Sequence, residues 1–401
     1  MQPGRTEPDA TPDGPGVPAW ALLSVTWLNS LGSGILWSGV PFVTERQFGF
    51  TQTENLLLAL AESVIYVAMA LGSGPALRAL AARGVLTARG WLAGVFVVQL
   101  GASLLTLAGA RGVVAAACVL SALGAALWPV MESYVSAGRH GGDMRRSIGR
   151  FNVTWMSATA ASLFLMAPLV ARGDAAAALL VMVPVSLASL ALLRWFPRSP
   201  AAHAAEHAHT HIAPQYPFLL LATRFLIPAS YALIAVIGPV LPFLVRDLGV
   251  DDSLKTPLAA TWMVSRAVTV LFLGGAGFWH GRWGTLVAGL ALLGGGFAAA
   301  VLAGNVPLAA VGLAAFGAGH GILYLAGLYY AMSVGGAEVD AGGRFEALIG
   351  VGYVVGPVAA LAVGGTPAGL VAGALLTAAA GALPAAGPYL AWRRARQGGP
   401  R

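Results

Sequence analysis

Apolar residues fill this chain in long unbroken runs, and its polar residues gather in the gaps between them. A helix needs about 20 apolar residues to cross a bilayer. Twelve runs reach that length, at roughly 18–43, 52–75, 88–110, 112–137, 148–171, 174–196, 217–244, 255–279, 283–304, 306–334, 344–365 and 367–392. The most polar gap, from Pro197 to Gln215, falls at the middle of the chain. The pattern predicts an all-α integral membrane protein of twelve helices in two six-helix bundles. The expected units are a disordered tail (1–17), a first bundle (18–196), a His-containing linker (197–216), a second bundle (217–392) and a basic tail (393–401). The first residues lack the basic segment of a cleaved signal peptide, so the first run is expected to stay as a membrane helix.

Charge sets a sidedness. With the N-terminus inside, sixteen arginines fall in inside gaps or tails, against Arg46, Arg111, Arg172, Arg246 and Lys255 outside; Arg224 and Arg266 lie within runs. Positive residues mark the cytoplasmic side, so both termini are expected in the cytoplasm and the linker with them. Only 10% of residues are charged and 57% are hydrophobic, whereas soluble domains carry roughly 25% charged residues. The net charge of +7 therefore reads as membrane orientation rather than a nucleic-acid surface. The excess of Arg over Lys, with abundant Ala and Gly, reads as a GC-rich bacterial genome and hence an inner-membrane protein. Cys118 is the only cysteine, which excludes an intrachain disulfide.

The halves repeat one another. Pro41-Phe42 followed by Glu45-Arg46 and Gly49 returns as Pro242-Phe243 followed by Arg246-Asp247 and Gly249. Gly149-Arg150-Phe151 returns as Gly343-Arg344-Phe345, and Gly124 with Tyr134 returns as Gly319 with Tyr329. Each half holds an even number of helices, so the copies share one orientation, as in one large class of transporters.

On these features the chain resembles the major facilitator superfamily. The signature expected between the second and third helices survives in part, as Gly72-Ser73-Gly74, Arg78, Arg83-Gly84 and Arg89, without its Asp. The resemblance implies a monomeric secondary transporter of small solutes, with no cofactor and no enzymatic activity. It also implies that helices 1, 4, 7 and 10 line a cavity, 2, 5, 8 and 11 wall it, and 3, 6, 9 and 12 support it. The polarity agrees with that assignment. Helices 3, 6, 9 and 12 have no charge between their ends, and Gln99 is their most polar group.

An ionisable group in hydrocarbon is a functional candidate because of what it costs to keep there. Substrate or coupling candidates are Asn29, Glu62, Arg224, Arg266, His320 and Tyr324. Burial penalises the charge of a carboxyl such as Glu62, which suits a proton carrier. An Arg such as Arg266 stays charged and must find an anion in the protein or the solute. His320 could relay a proton or bind solute. Each of these could instead tie two helices together, and Arg224 could snorkel to the interface. Trp37, Trp128, Tyr231, Tyr324 and Tyr330 could stack on a solute or anchor helices. Arg150 and Arg344, each expected at a helix start, read as halves of a cytoplasmic gate. Arg150 is expected to pair with Glu132, and Arg344 with Glu338, Asp340 or Glu346.

Other signals carry less. His203-Ala204-Ala205-Glu206-His207 matches a zinc-peptidase pattern but lies in a solvated stretch without a third ligand. His203, His207, His209 and His211 could hold a metal loosely, leaving a linker-based metal exporter as an alternative. Asn152-Val153-Thr154 is a sequon that should be silent on the inside. No phosphate-binding loop is present. The expected function is a solute transporter coupled to protons, the solute being sugar-like, drug-like or an organic anion. A non-transporting sensor with the same fold is the alternative from another class.

Overall fold

A computed structural model describes residues 16–139, 141–200, 213–334 and 339–397. These residues form helices and turns with no strand among them. The helical segments are α1 (Ala19–Phe48), α2 (Gln52–Ala82), α3 (Ala88–Leu104), α4 (Gly109–Ser136), α5 (Gly141–Arg172) and α6 (Ala177–Trp195) in the first half. The second half holds α7 (Tyr216–Asp247), α8 (Asp252–Gly274), α9 (Trp283–Val301), α10 (Val306–Val334), α11 (Val339–Ala362) and α12 (Pro367–Gln397). Ten stretches among the described residues are long and apolar enough to cross a membrane. One of them, Ala88–Ser136, spans 49 residues and holds both α3 and α4, joined by a 3-10 turn at Leu105–Ala108. A shorter apolar stretch, Glu346–Ala362, lies in α11.

Packing partners recur with an offset of six. α1 packs on α5 as α7 packs on α11, α2 on α4 as α8 on α10, and α3 on α6 as α9 on α12. Between the halves, α5 packs on α8 and α11 on α2. The Pro-Phe repeat has a structural meaning: α1 and α7 both end beside a left-handed glycine, Gly49 (φ 69) and Gly249 (φ 68). Without a Cβ each turns the chain at no steric cost, and the N–H groups of Phe50 and Val250 close back on Thr44 and Val245. The tyrosine repeat also holds. Tyr134 donates to the Pro197 carbonyl at 2.9 Å, and the Tyr329 hydroxyl meets that of Tyr216 at 3.2 Å. The two tyrosines thus pin the two ends of the linker.

Small residues let the second half close tightly. A Cβ on Gly312 would stand 2.4 Å from the Ala300 nitrogen, and one on Gly319 2.3 Å from the Leu293 nitrogen, so α9 and α10 touch backbone to backbone. In lipid there is little hydrophobic gain from helix association, and such close approach supplies the packing instead. α7 is the most enclosed helix, with 89% of its apolar window buried.

The Gly-Arg-Phe repeat does not mark helix starts. α5 begins at Gly141 and α11 at Val339, so Arg150 lies in about the third turn and Arg344 in about the second. The polar residues before each Gly-Arg-Phe are helical too, which an apolar-run criterion cannot register.

Candidate functional site

Trp37 sits in a π-helical segment of α1, Ile35–Gly39, where one extra residue is inserted in the helical turn. Pro41 has no N–H to return to the Trp37 carbonyl, and Gly238 of α7 lets a neighbouring helix approach that carbonyl. The distortion turns the Trp37 ring onto Tyr353 of α11, stacked at 4.7 Å and 6°. Tyr66 meets both rings edge-on at 5.8 and 5.9 Å, and Tyr231 meets Tyr353 edge-on at 5.4 Å.

These rings roof a cavity of about 140 Å³ between the halves, enough for several waters or part of a small solute. Its lining comes from α1, α2, α4 and α5 of one half and α7, α8, α10 and α11 of the other, with no residue from α3, α6, α9 or α12. Nine of its twenty lining residues are aromatic, so it favours a flat or apolar body. Arg266, Glu132 and Glu346 supply its charges.

Arg266 is only 4% exposed. Its guanidinium lies 4.7 Å from the centre of the Trp155 ring and 5.0 Å from that of Trp262, and Nη2 donates to Thr159 Oγ1 at 3.2 Å. Its Nε is buried with no hydrogen-bond partner. Among the described residues no ion pair joins Arg266 to Glu132 or Glu346.

The sequence candidates separate accordingly. Arg266, Tyr324, Glu132 and Glu346 line the cavity. Glu132 and Glu346, the gate candidates of the sequence, stand in the cavity wall. The expected Arg150–Glu132 ion pair is absent among the described residues, and Arg150 is exposed. Two to three turns into α5, its long side chain extends outward while Phe151 and Trp155 occupy the inward face. The Arg344 side chain, Glu338 and the Asp340 side chain lie outside the described residues, as do His203, His207, His209 and His211. Arg224 is exposed and away from the cavity.

Asn29 faces the supporting helices. It donates to Ser189 at 3.0 Å and accepts from Gln99, which also donates to Ser186 at 3.1 Å. These polar groups satisfy one another, which is what burial in an apolar bundle demands. His320 is fully buried behind the cavity, edge-on to Tyr231 at 4.9 Å, with neither ring nitrogen hydrogen-bonded. Tyr330 belongs to a separate cluster, accepting from the Gly281 N–H at 3.0 Å.

Glu62 occupies its own void of about 20 Å³, large enough for one water. Trp37, Ile234 and Tyr353 line both spaces, so the stacked rings separate Glu62 from the main cavity. Its Oε1 is buried and unpartnered.

Asn152 was read only as a silent sequon. Its Oδ1 accepts from Trp155 at 2.8 Å and from Tyr324 of the other half at 3.0 Å. Trp155, Trp262, Tyr66 and Tyr353 also escaped sequence reading, because an aromatic in an apolar run carries no mark of the face it occupies.

The end of the bundle nearest the α1–α2 and α7–α8 turns is bridged between halves. Arg246 pairs with Glu45 at 3.2 Å and Arg46 with Asp252 at 2.6 Å, while Gln52 donates to the Gly365 carbonyl at 3.0 Å. Glu45 and Arg46 after the first Pro-Phe and Arg246 after the second thus reach across to the other half. Such partly exposed pairs contribute about 0.2–1 kcal/mol each. Glu45→Arg is expected to lower the melting temperature by a few degrees at low salt. The double variant Glu45→Arg with Arg246→Glu should restore it, and high salt should shrink the difference. Unchanged melting in all variants would show that the bridges carry no energy.

No family model matches the chain, and no curated protein matches its sequence. Solved structures do. A bacterial homologue of the human lysosomal transporter Spinster, in inward-facing and occupied form, superposes with a TM-score of 0.66 at 16% identity, covering 94% of this chain and 96% of that one. Its unoccupied form gives 0.67 at 15% identity over the same shares. The nucleoside transporter NupG gives 0.65 at 14% identity, covering 93% of this chain and 98% of that one.

Proposed function

From a multi-pass membrane chain with the fold of the major facilitator superfamily, we propose a secondary active transporter that moves a small solute across the cytoplasmic membrane by alternating access, coupled to protons. Twelve membrane-crossing helices with both termini in the cytoplasm complete the reading, from the apolar runs and the arginine asymmetry. The observation that carries it is the cavity itself. It lies between the halves, draws charged and aromatic groups from both, and ion pairs bridge the halves at the end nearest the α1–α2 and α7–α8 turns. A rigid scaffold has no use for Arg266, Glu132 and Glu346 in such a place. The bridged end supports a cavity that opens to the other side, the state named for the Spinster homologue.

The solute is sugar-like, drug-like or an organic anion, held among the rings with Arg266 as its anchor. The coupling group is Glu62, a buried carboxyl with an unpartnered oxygen on the far side of the Trp37–Tyr353 stack. That position lets it exchange a proton when the stack opens.

Purified protein in liposomes tests both parts. Imposing a proton gradient should drive accumulation of solutes drawn from a panel, with matching proton flux. Glu62→Gln should abolish accumulation above equilibrium while exchange of solute across the membrane continues. Transport that moves no protons and ignores Glu62→Gln would sink the coupling, and no solute movement in either direction would sink the transporter reading.

A further inference from the structure

The main cavity holds opposite charges that do not neutralise one another. Arg266 has two tryptophan faces, one threonine hydroxyl and an Nε with nothing to donate to. Those neighbours soften the cost of a desolvated guanidinium but supply no counter-charge. Two carboxyls stand in the same cavity, and neither pairs with it or with any other described cation.

Their positions on the helices give their depths. Arg266 lies eight residues before the end of α8 at Gly274, and Glu132 four before the end of α4 at Ser136. At 1.5 Å per residue these are depths of about 12 and about 6 Å from the same end of the bundle. Glu346 approaches from α11, on the other half from Glu132. Glu346 lies seven residues into α11 from Val339, about 10 Å from that end, so the two carboxyls stand on opposite halves, one nearer the end and one at about the depth of the guanidinium, and among the described residues no ion pair joins either to Arg266.

A solute with a single charge would satisfy one of these sites and set its charge against the other. An anion on Arg266 would leave the carboxyls facing it, and a cation between the carboxyls would leave Arg266 without an anion. Resting on the transport reading of this cavity, we propose that its solute is a zwitterion with a flat or ring-bearing body. Its anionic group docks on Arg266, its cationic group between Glu132 and Glu346, and its body lies among Trp37, Trp155 and Tyr353.

Three probes sharing one phenyl ring separate the possibilities: phenylalanine, which is zwitterionic; phenylalanine amide, a cation at mildly acidic pH; and N-acetylphenylalanine, an anion. Binding to the purified full-length protein is measured by equilibrium binding and by thermal shift, since a ligand of the folded state raises its stability. The zwitterion should bind about tenfold or more tighter than either singly charged probe, the scale of one lost charge contact. Arg266→Gln should erase its preference over the amide. Glu132→Gln combined with Glu346→Gln should erase its preference over the N-acetyl probe. These are ratios within one variant, so a general loss of fold, which weakens all three probes alike, does not imitate them.

The proposal is overturned if either singly charged probe binds as tightly as the zwitterion, if none of the three binds the folded protein, or if the variants leave the ratios unchanged. Uptake of the same probes into liposomes separates this from the transport reading. Selective binding of the zwitterion without uptake would remove transport and keep the zwitterion site. Uptake of a singly charged probe in preference to the zwitterion would do the reverse.

Discussion

Arg266→Gln is expected to reduce solute uptake by a hundredfold or so while leaving the protein folded. Losing the charge partner of a buried ligand group costs about 2–5 kcal/mol, and each 1.4 kcal/mol is a factor of about ten. Stability responds differently because Arg266 neutralises no charge of the protein. It gives up two contacts with tryptophan faces and one hydrogen bond to Thr159, but it also removes a desolvated charge and an unpartnered Nε. These effects oppose one another, so the melting temperature should move by only a few degrees. Uptake into liposomes and melting of the same preparation measure the two quantities. If Arg266 serves only to tie α5 to α8 through Thr159, the outcome inverts, with lowered melting and intact uptake.

Gly317→Leu should prevent the second half from packing at all. A Cβ at this position would lie 2.0 Å from the Trp262 carbonyl oxygen and 2.7 Å from its carbon. The obstacle is backbone, which cannot rotate away as a side chain can. Retreat is closed as well, because α10 meets α9 at Gly312 and Gly319, also backbone to backbone. Overpacking in cores costs about 1–3 kcal/mol, and a clash against fixed backbone on a helix held from both sides should exceed that. Even Gly317→Ala should lower melting by several degrees and weaken solute binding, because Trp262 supports the Arg266 guanidinium. Gly294→Ala in α9 is the matched control, since nothing lies within 4 Å of its added Cβ. It should be neutral or stabilising by up to about 1 kcal/mol through helix propensity and a less flexible unfolded chain. Size-exclusion profiles and melting curves of the three variants decide the matter. A Gly317→Leu protein that stays monodisperse and melts normally would contradict the packing described here.

How far the site could be read from sequence varied by residue for identifiable reasons. Glu62, Glu132, Arg266 and His320 stand out because an ionisable group in an apolar run is expensive wherever it points. The same argument selected Asn29 and Arg224, which lie outside the cavity, one in an amide–hydroxyl network and one exposed. Asn152 passed as a silent sequon although it joins the halves through Tyr324. The rings of Trp155, Trp262, Tyr66 and Tyr353 were invisible for a related reason. In a soluble helix an apolar stripe marks the inward face, but here lipid, helix interface and internal cavity all accept an aromatic.

The chain by itself determined the apolar segments, the words repeated between its first and second parts, the arginine asymmetry from which orientation is inferred, and a short roster of costly residues. Length of apolar run, charge bias and repeated words are local properties, and a bilayer turns them directly into helices and sidedness. Tertiary structure alone decided which costly residues share a space. It placed Glu132 and Glu346 beside Arg266 without pairing them, walled Glu62 off behind stacked rings, and turned Arg150 outward. Those outcomes depend on the rotation of each helix about its axis. That rotation is set by glycine contacts, the π-helical turn before Pro41 and ring packing between distant segments, none of which the periodicity of a single apolar run can encode.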